Sequence, residues 1–121
     1  MLQENRLQGE FYHACQSGDR EVVLLLDRGV LINQTMNDGS TPLFAACHFG
    51  HKEVAELLLD RGADINQEAR DGSTPLWIAC QQGHIAVVEL LLDRGAQINQ
   101  ARENGATPLF IACQEGYRAV A

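Results

Sequence analysis

The chain has 121 residues, 45% of them hydrophobic and 21% charged, a composition that excludes collagen-like character and argues against intrinsic disorder. Sixteen acidic against nine basic side chains give a net charge of −7, which argues against a phosphate-binding surface for DNA or RNA. Uninterrupted apolar runs such as 22–26 are far too short for a membrane span or a signal peptide. We therefore expect a cytosolic or nuclear protein with neither a membrane nor a nucleic-acid partner.

The sequence repeats itself every 33 residues, as shown by Asp-Arg-Gly at 27–29, 60–62 and 93–95 and Thr-Pro-Leu at 41–43, 74–76 and 107–109. Two consecutive units are identical at 22 of 33 positions without a gap. A fixed period of this length predicts a stack of repeats. We interpret the chain as one domain with a degenerate first repeat, two full repeats and a truncated fourth, at 1–36, 37–69, 70–102 and 103–121.

The first repeat lacks Thr-Pro-Leu and begins with the polar segment 3–10, as expected of an N-terminal cap that must face water. It is also one residue short, because Cys15 and Asp27 are 12 positions apart where Cys47 and Asp60 are 13 apart. A deletion within a helix rotates all later residues by about 100°. Either the apolar run 22–26 stays inward in both phases, or the turn at Gly18 absorbs the loss.

Each full repeat is predicted to form two short helices. A threonine caps the first helix, a proline follows at its first position, and a glycine ends it; in the second repeat these are Thr41, Pro42 and Gly50. The second helix is predicted over 51–61, with one apolar face, and ends before Gly62. A polar, hairpin-like loop over 64–73 then leads to the next unit.

The fourth repeat stops at Ala121, before the leucines of its second helix. A stack without a polar terminal repeat should expose apolar surface at that end. We expect either a longer native chain or another molecule, including a second copy, at this end.

These motifs resemble those of the ankyrin repeat family. The family pattern is matched in the second repeat by Gly39, Thr41, Pro42, Leu43, Ala46, Gly50, His51, Val54, the leucines at 57–59, Gly62, Ala63 and Asn66. The resemblance implies an all-α repeat solenoid, in which helix pairs stack and β-hairpin-like loops project to one side. Where the family usually has histidine, this chain has Tyr12, Phe44, Trp77 and Phe110, which we interpret as packing residues.

Four cysteines occupy one equivalent position in the repeats, namely Cys15, Cys47, Cys80 and Cys113. Neighbouring helices pack about 8–10 Å apart, whereas the Cα atoms of a disulfide lie within about 7 Å. A zinc site needs ligands that converge on one point, but equivalent positions in a stack are spread along a line. We therefore expect buried, free thiols and no metal or other cofactor.

No catalytic motif is present, and we expect no enzymatic activity. His51 and His84 belong to the Gly-His turn of the repeat and are predicted to be structural. Asn33, Asn66 and Asn99 are predicted to bond loop backbone. The resemblance also implies a second role for these asparagines, as substrates of asparagine hydroxylation.

Positions that vary between repeats are free to serve a partner, and they concentrate at the loop tips and at the ends of the first helices. In the family these positions line the concave face that binds proteins. The candidate partner-binding residues are Asp38, Ser40, His48, Phe49, Arg70, Asp71, Ser73, Gln81, Gln82, Glu103, Asn104, Gln114 and Glu115. Phe49 is the most distinctive candidate because its equivalents Ser17, Gln82 and Glu115 are polar, and packing over the neighbouring turn is the alternative to a binding role. The charges at this face sum to −3 and favour a partner with some basic character.

We therefore predict a protein–protein interaction module, an adaptor or scaffold. Three alternatives remain at the level of sequence, and one of them, an enzyme in its own right, has no motif to support it. The repeats could be a spacer or regulatory arm for an enzyme domain outside this chain, or the positions that vary between repeats could reflect surface drift alone.

Overall fold

Six helices arranged as three consecutive pairs form the part of the chain described by the computed structural model, residues 2–98, with side chains from residue 6 onward. They are α1 (Leu2–Ser17), α2 (Glu21–Asp27), α3 (Pro42–His48), α4 (Lys52–Asp60), α5 (Pro75–Gln81) and α6 (Ile85–Asp93). Within this range no strand occurs. The first helices α1, α3 and α5 pack side by side in one row, and each contacts the second helix of its own pair. The predicted all-α repeat stack is confirmed over this range.

The helix ends follow the predicted capping residues. The backbone N–H groups of Phe44 and Trp77 donate to the hydroxyls of Thr41 and Thr74, at 3.2 and 3.1 Å. This bond satisfies one of the N–H groups that a helix start leaves without a partner. Gly50 ends the turn after α3 with φ at +77°, a left-handed conformation that favours glycine. The second helix of repeat two, α4, is one residue shorter at each end than the predicted range 51–61.

The core lies between the two helix rows and repeats with the sequence. Equivalent residues of α1, α3 and α5 are buried at Phe11, Leu43 and Leu76. In the second row, Leu25, Leu58 and Leu91 are buried in the same way. Because Leu25 keeps the position of its equivalents, the missing residue of the first repeat is absorbed between α1 and α2. The turn at Gly18, the second of the two predicted alternatives, therefore accounts for the deletion.

Asparagines link each loop to the next one along the stack. Asn33 Oδ1 accepts a hydrogen bond from the N–H of Asp64 at 3.0 Å, and Asn66 Oδ1 accepts one from the N–H of Gln97 at 3.0 Å. The predicted bonding of these asparagines to loop backbone is thus confirmed, and it joins neighbouring repeats. Asn99 lies outside the described residues.

Gln8 takes the place of such an asparagine at the N-terminal end. Its Oε1 accepts from the N–H of Leu31 at 2.9 Å, and its Nε2 donates to the carbonyl oxygen of the same residue at 2.7 Å. Leu31 is the equivalent of Asp64 and Gln97. The long helix α1 therefore satisfies the loop backbone that a preceding repeat would otherwise bond, as expected of an N-terminal cap.

The loops between helix pairs turn tightly without forming strands. In the first of them, Met36 N–H donates to the Ser40 carbonyl oxygen at 2.8 Å, and the Ala69 N–H bonds Ser73 in the same way at 2.8 Å. Neighbouring tips are joined directly, because the Arg70 N–H donates to the Asp38 carbonyl oxygen at 2.9 Å. The tips are therefore held at a fixed spacing from one another.

Candidate partner-binding surface

A groove of about 690 Å³ runs between two loop tips and the helices α3 and α5. It is lined by Asn37, Asp38, Phe44, His48, Ala69, Arg70, Asp71, Ser73, Trp77, Ile78 and Gln81. Six of these were singled out from the sequence, so residues up to 43 positions apart in the chain meet on one concave surface. Phe49 and Gln82 lie at the C-terminal ends of α3 and α5 and are exposed beside the groove.

The carboxylate of Asp38 is fixed at its loop tip. Its Oδ1 accepts hydrogen bonds from the Ser40 hydroxyl at 2.6 Å and from the Ser40 N–H at 3.0 Å. These bonds, with a smaller contribution from the positive charge of Arg70, lower the pKa of Asp38. The side chain therefore stays negatively charged at neutral pH, at a defined position on the rim of the groove.

Ser40 and Ser73 are less accessible than the other candidate residues that the structure describes. They are only 1% and 2% exposed, so little of either side chain is open to a partner, although Ser73 lines the groove. Ser40 instead bonds the Tyr12 hydroxyl at 2.7 Å, and the Ser73 N–H donates to Asp71 Oδ1 at 2.9 Å. Both serines are structural residues beneath the loop tips. These equivalent positions both hold serine, and the sequence cannot show that the side chains are buried.

Three rings form an aromatic cluster at the end of α3. The rings of His48 and Phe49 are stacked, with centroids 4.6 Å apart and planes inclined by 10°. The Phe44 ring meets His48 edge to face at 6.3 Å. Phe49 remains 50% exposed in spite of the stacking. It therefore offers an open ring next to the groove, held in one orientation by its neighbour.

The floor of the groove was not anticipated as a binding surface. Phe44, Trp77 and Ile78 line it, and the first two were interpreted only as packing residues. That interpretation is confirmed for Trp77, which is only 2% exposed although it lines the groove. The sequence does contain one sign of this role, since Trp77 stands where the second repeat has Phe44. A larger ring at an equivalent position alters the shape of the groove.

The four predicted binding residues of the last repeat, Glu103, Asn104, Gln114 and Glu115, lie outside the described residues. The same applies to the expected open C-terminal end of the stack. These positions stay predictions.

The histidines of the Gly-His turns join neighbouring repeats. His51 Nε2 bonds the carbonyl oxygen of Gln16 at 2.8 Å, and His84 Nε2 bonds that of His48 at 2.9 Å. Each ring lies against the turn glycine of the preceding repeat, where a Cβ on Gly18 or Gly50 would come within 2.6 Å of it. The predicted structural role of both histidines is confirmed.

The thiols of Cys15, Cys47 and Cys80 are free and buried between the helices. Burial disfavours the thiolate and raises the pKa of Cys15 to about 12 and that of Cys80 to about 11; the pKa of Cys47 is raised further still. The predicted free, buried thiols are confirmed at these positions, and Cys113 lies outside the described residues. Because the thiolate is the reactive form, these side chains are chemically quiet.

A comparison with protein families identifies the class to which this stack belongs. The family described as "Ankyrin repeats (3 copies)" matches residues 11–69 and 66–121, which is most of the chain. The protein is therefore a member of the ankyrin repeat family. Ankyrin repeats are generally protein–protein interaction modules and typically have no catalytic activity. Comparison with curated proteins finds no match. Over residues 2–98, no helix has the length and apolar character needed to cross a membrane.

Proposed function

We propose that this protein is a non-enzymatic interaction module, an adaptor or scaffold, that holds a partner protein in the groove above α3 and α5. The observation that carries the proposal is the convergence of loop-tip residues and helix-end residues on one concave surface. Asp38 and Arg70 come from neighbouring loops, and His48 and Gln81 from neighbouring helices. Arg70, His48 and Gln81 are at positions that change from one repeat to another, whereas core residues such as Leu43 and Leu76 recur.

The surface is pre-organised for binding. The Arg70 N–H bond to Asp38 fixes the spacing of the loop tips, and the threonine caps fix the starts of α3 and α5. A partner therefore pays little conformational entropy for ordering this side of the interface. Exposed aromatic rings are common binding hot spots, and Phe49 supplies one next to the groove.

The chemistry of the groove favours a partner segment with an apolar anchor and basic flanks. Phe44, Trp77 and Ile78 provide an apolar floor, which suits an aliphatic or aromatic side chain. At the rim, the carboxylates of Asp38 and Asp71 outnumber the guanidinium of Arg70. Complementary charge of this kind contributes mainly to specificity and association rate.

A cytosolic or nuclear setting suits the buried free thiols of Cys15, Cys47 and Cys80, since such compartments keep cysteines reduced. The role of the repeats as a spacer or regulatory arm of a larger protein stays a second hypothesis. A catalytic domain in the complete gene would favour it.

Affinity capture with matched surface variants tests the proposal. The wild-type chain, Phe49→Ala and Arg70→Ala are immobilised separately, and captured proteins are quantified by mass spectrometry. Leu92→Ala, an exposed apolar residue of α6, is the control for Phe49, and Lys52→Ala, an exposed base of α4, is the control for Arg70. All variants must unfold at temperatures close to that of the wild type.

We expect the groove variants to lose the same set of proteins by about ten-fold or more, in line with the loss of a hot-spot residue, while the controls retain them. Equal recovery of every protein by all five chains would contradict binding through the groove. Loss only in Leu92→Ala or Lys52→Ala would place the interface on the second helices instead.

A further inference from the structure

We propose that the N-terminal end of the stack is a self-association surface, through which two copies of this chain pair by the outer face of α2. This goes beyond the groove, because the residues involved lie on another helix row. The three that carry the proposal are Glu21, Leu24 and Arg28, spaced i, i+3 and i+7, which places them on one helix face.

In α4 and α6, the equivalent helices of the next two repeats, the corresponding face is turned toward a neighbouring helix. Leu90 of α6 is only 7% exposed, and Leu57 of α4 is half-buried and faces α2 across a cleft. Leu24 occupies the same position in α2 but is 63% exposed. The exposed fraction of this leucine therefore increases from α6 to α2. An apolar position that is buried elsewhere in the stack is open to solvent at this end.

Ion pairs identify the same face independently. Arg61 bonds Asp27 of the preceding repeat at 3.5 Å, and Arg94 bonds Asp60 of the preceding repeat at 2.8 Å. Arg28 is the equivalent residue, yet among the side chains that the structure describes no carboxylate lies within ion-pair distance of it. A guanidinium and a leucine are thus both exposed where the other repeats have a helix in contact.

The charge pattern of this face favours a second copy of the chain as its partner. Glu21 stands at one end, Leu24 at the centre and Arg28 at the other end. When two such helices are placed antiparallel about a two-fold axis, Leu24 meets Leu24, and each Glu21 meets the Arg28 of the other copy. A face of this kind is self-complementary, as an isologous interface requires. The equivalents of Glu21 are Val54 and Val87, so a charge at this position is peculiar to the terminal repeat.

The backbone of this end is already satisfied. Gln8 occupies both the N–H and the carbonyl oxygen of Leu31, which argues against a further repeat as the occupant. Leu31 is 64% exposed and lines one cleft with Arg28, which extends the exposed apolar area at this end of the stack. One short helix with these neighbours makes a small interface, and small interfaces belong to the weak class. We expect a dimer that forms at micromolar to millimolar concentrations.

The test is sedimentation equilibrium of the full 121-residue chain over this concentration range. Glu21→Arg and Arg28→Glu each place like charges opposite one another twice in the dimer, and each should weaken self-association by about ten-fold. Glu89→Arg, the same charge change at an exposed position of α6, should leave it unaltered. Leu24→Gln should weaken it at least as much as either charge reversal, and circular dichroism should show an intact fold for all four variants.

A mixture of the two charge-reversed variants gives the most specific test of the proposal. In a mixed pair, both ends again join opposite charges, so Glu21→Arg with Arg28→Glu should form a heterodimer at about wild-type affinity or better. Recovery of this kind also separates the α2 face from association through the C-terminal end, which these substitutions do not touch. A chain that is monomeric at every concentration, or a dimer that neither single variant weakens, or a mixture no stronger than its components, would overturn the proposal.

Discussion

The cysteines of this protein are placed as small packing residues, and their environment has a consequence for pH. Cys15, Cys47 and Cys80 are buried, and burial raises the pKa of each thiol above the ordinary value of 9.0. In the unfolded chain the same thiols ionise near 9.0. Between that pH and about 11, where Cys80 would titrate in the fold, the folded chain holds more protons than the unfolded one.

The free energy of unfolding should therefore fall as pH rises above about 9, by up to about 1.4 kcal/mol per pH unit for each buried thiol. Urea unfolding at pH 8, 9 and 10 measures this decline. Cys80→Ala should reduce the slope, because alanine cannot ionise and fits a position of this size. A slope that is the same in the variant and the wild type would contradict the role of the thiol.

Residue positions also show what could be read from the sequence. Thr41, Thr74 and the turn glycines were predicted correctly because their roles depend on local backbone geometry, which recurs with the motif. The burial of Ser40 and Ser73 could not be predicted, because it depends on how each loop folds over the helices. Variation between repeats identifies positions without a shared role, but it does not say which of them face solvent.

At the level of elements, the turns between paired helices contact the next repeat through its histidine. Gly50 and Gly62 both adopt positive φ, at +77° and +99°. A Cβ on Gly50 would lie 2.6 Å from the His84 ring, whereas one on Gly62 would meet nothing within 4 Å. An alanine at Gly62 would therefore add backbone strain alone, whereas an alanine at Gly50 would add both backbone strain and a clash with His84.

Gly62→Ala should cost about 1–2 kcal/mol of unfolding free energy, the usual penalty for a left-handed non-glycine residue. Gly50→Ala should cost more by about 1 kcal/mol or above, because His84 must move and give up its bond to His48. Urea unfolding of both variants gives the comparison. Adding His84→Ala to Gly50→Ala should be less than additive, and full additivity would argue against the contact.

The elements themselves followed from the sequence more closely than the groove did. Helix starts and ends are marked by local signals, so α3 and α4 lie within a residue or so of their predicted bounds. The groove instead depends on how helix pairs stack. The position of Trp77 in the groove lining and the fixed spacing of Asp38 and Arg70 arise from how repeats stack, which no single repeat contains.

We expect the first three repeats to unfold as one unit, since asparagine and histidine bonds join them within the described residues. Trp77, the only tryptophan, reports on the third repeat, and Leu25 belongs to the core of the first. Leu25→Ala should cost about 2–5 kcal/mol, as for other buried leucines. If the repeats are coupled, the tryptophan fluorescence transition in urea should move to lower urea together with the circular dichroism transition.

The matched control for this coupling is Leu92→Ala, an exposed residue of α6 outside both proposed surfaces, which should move neither transition appreciably. A Trp77 transition that stays in place while circular dichroism reports partial unfolding would show that the first repeat unfolds independently. Repeat stacks draw much of their stability from interfaces between neighbours, so this result would mean that the interface between the first two repeats is weak.

The central claim is that a partner protein binds the groove rather than the outer helix row. Hydrogen–deuterium exchange of the chain, alone and saturated with a captured partner, tests it most directly. We expect slower exchange at the loop tips 36–40 and 69–73 and at the ends of α3 and α5, with α4 and α6 unchanged. Protection confined to α4 and α6, with the loop tips exchanging as in the free chain, would contradict the claim.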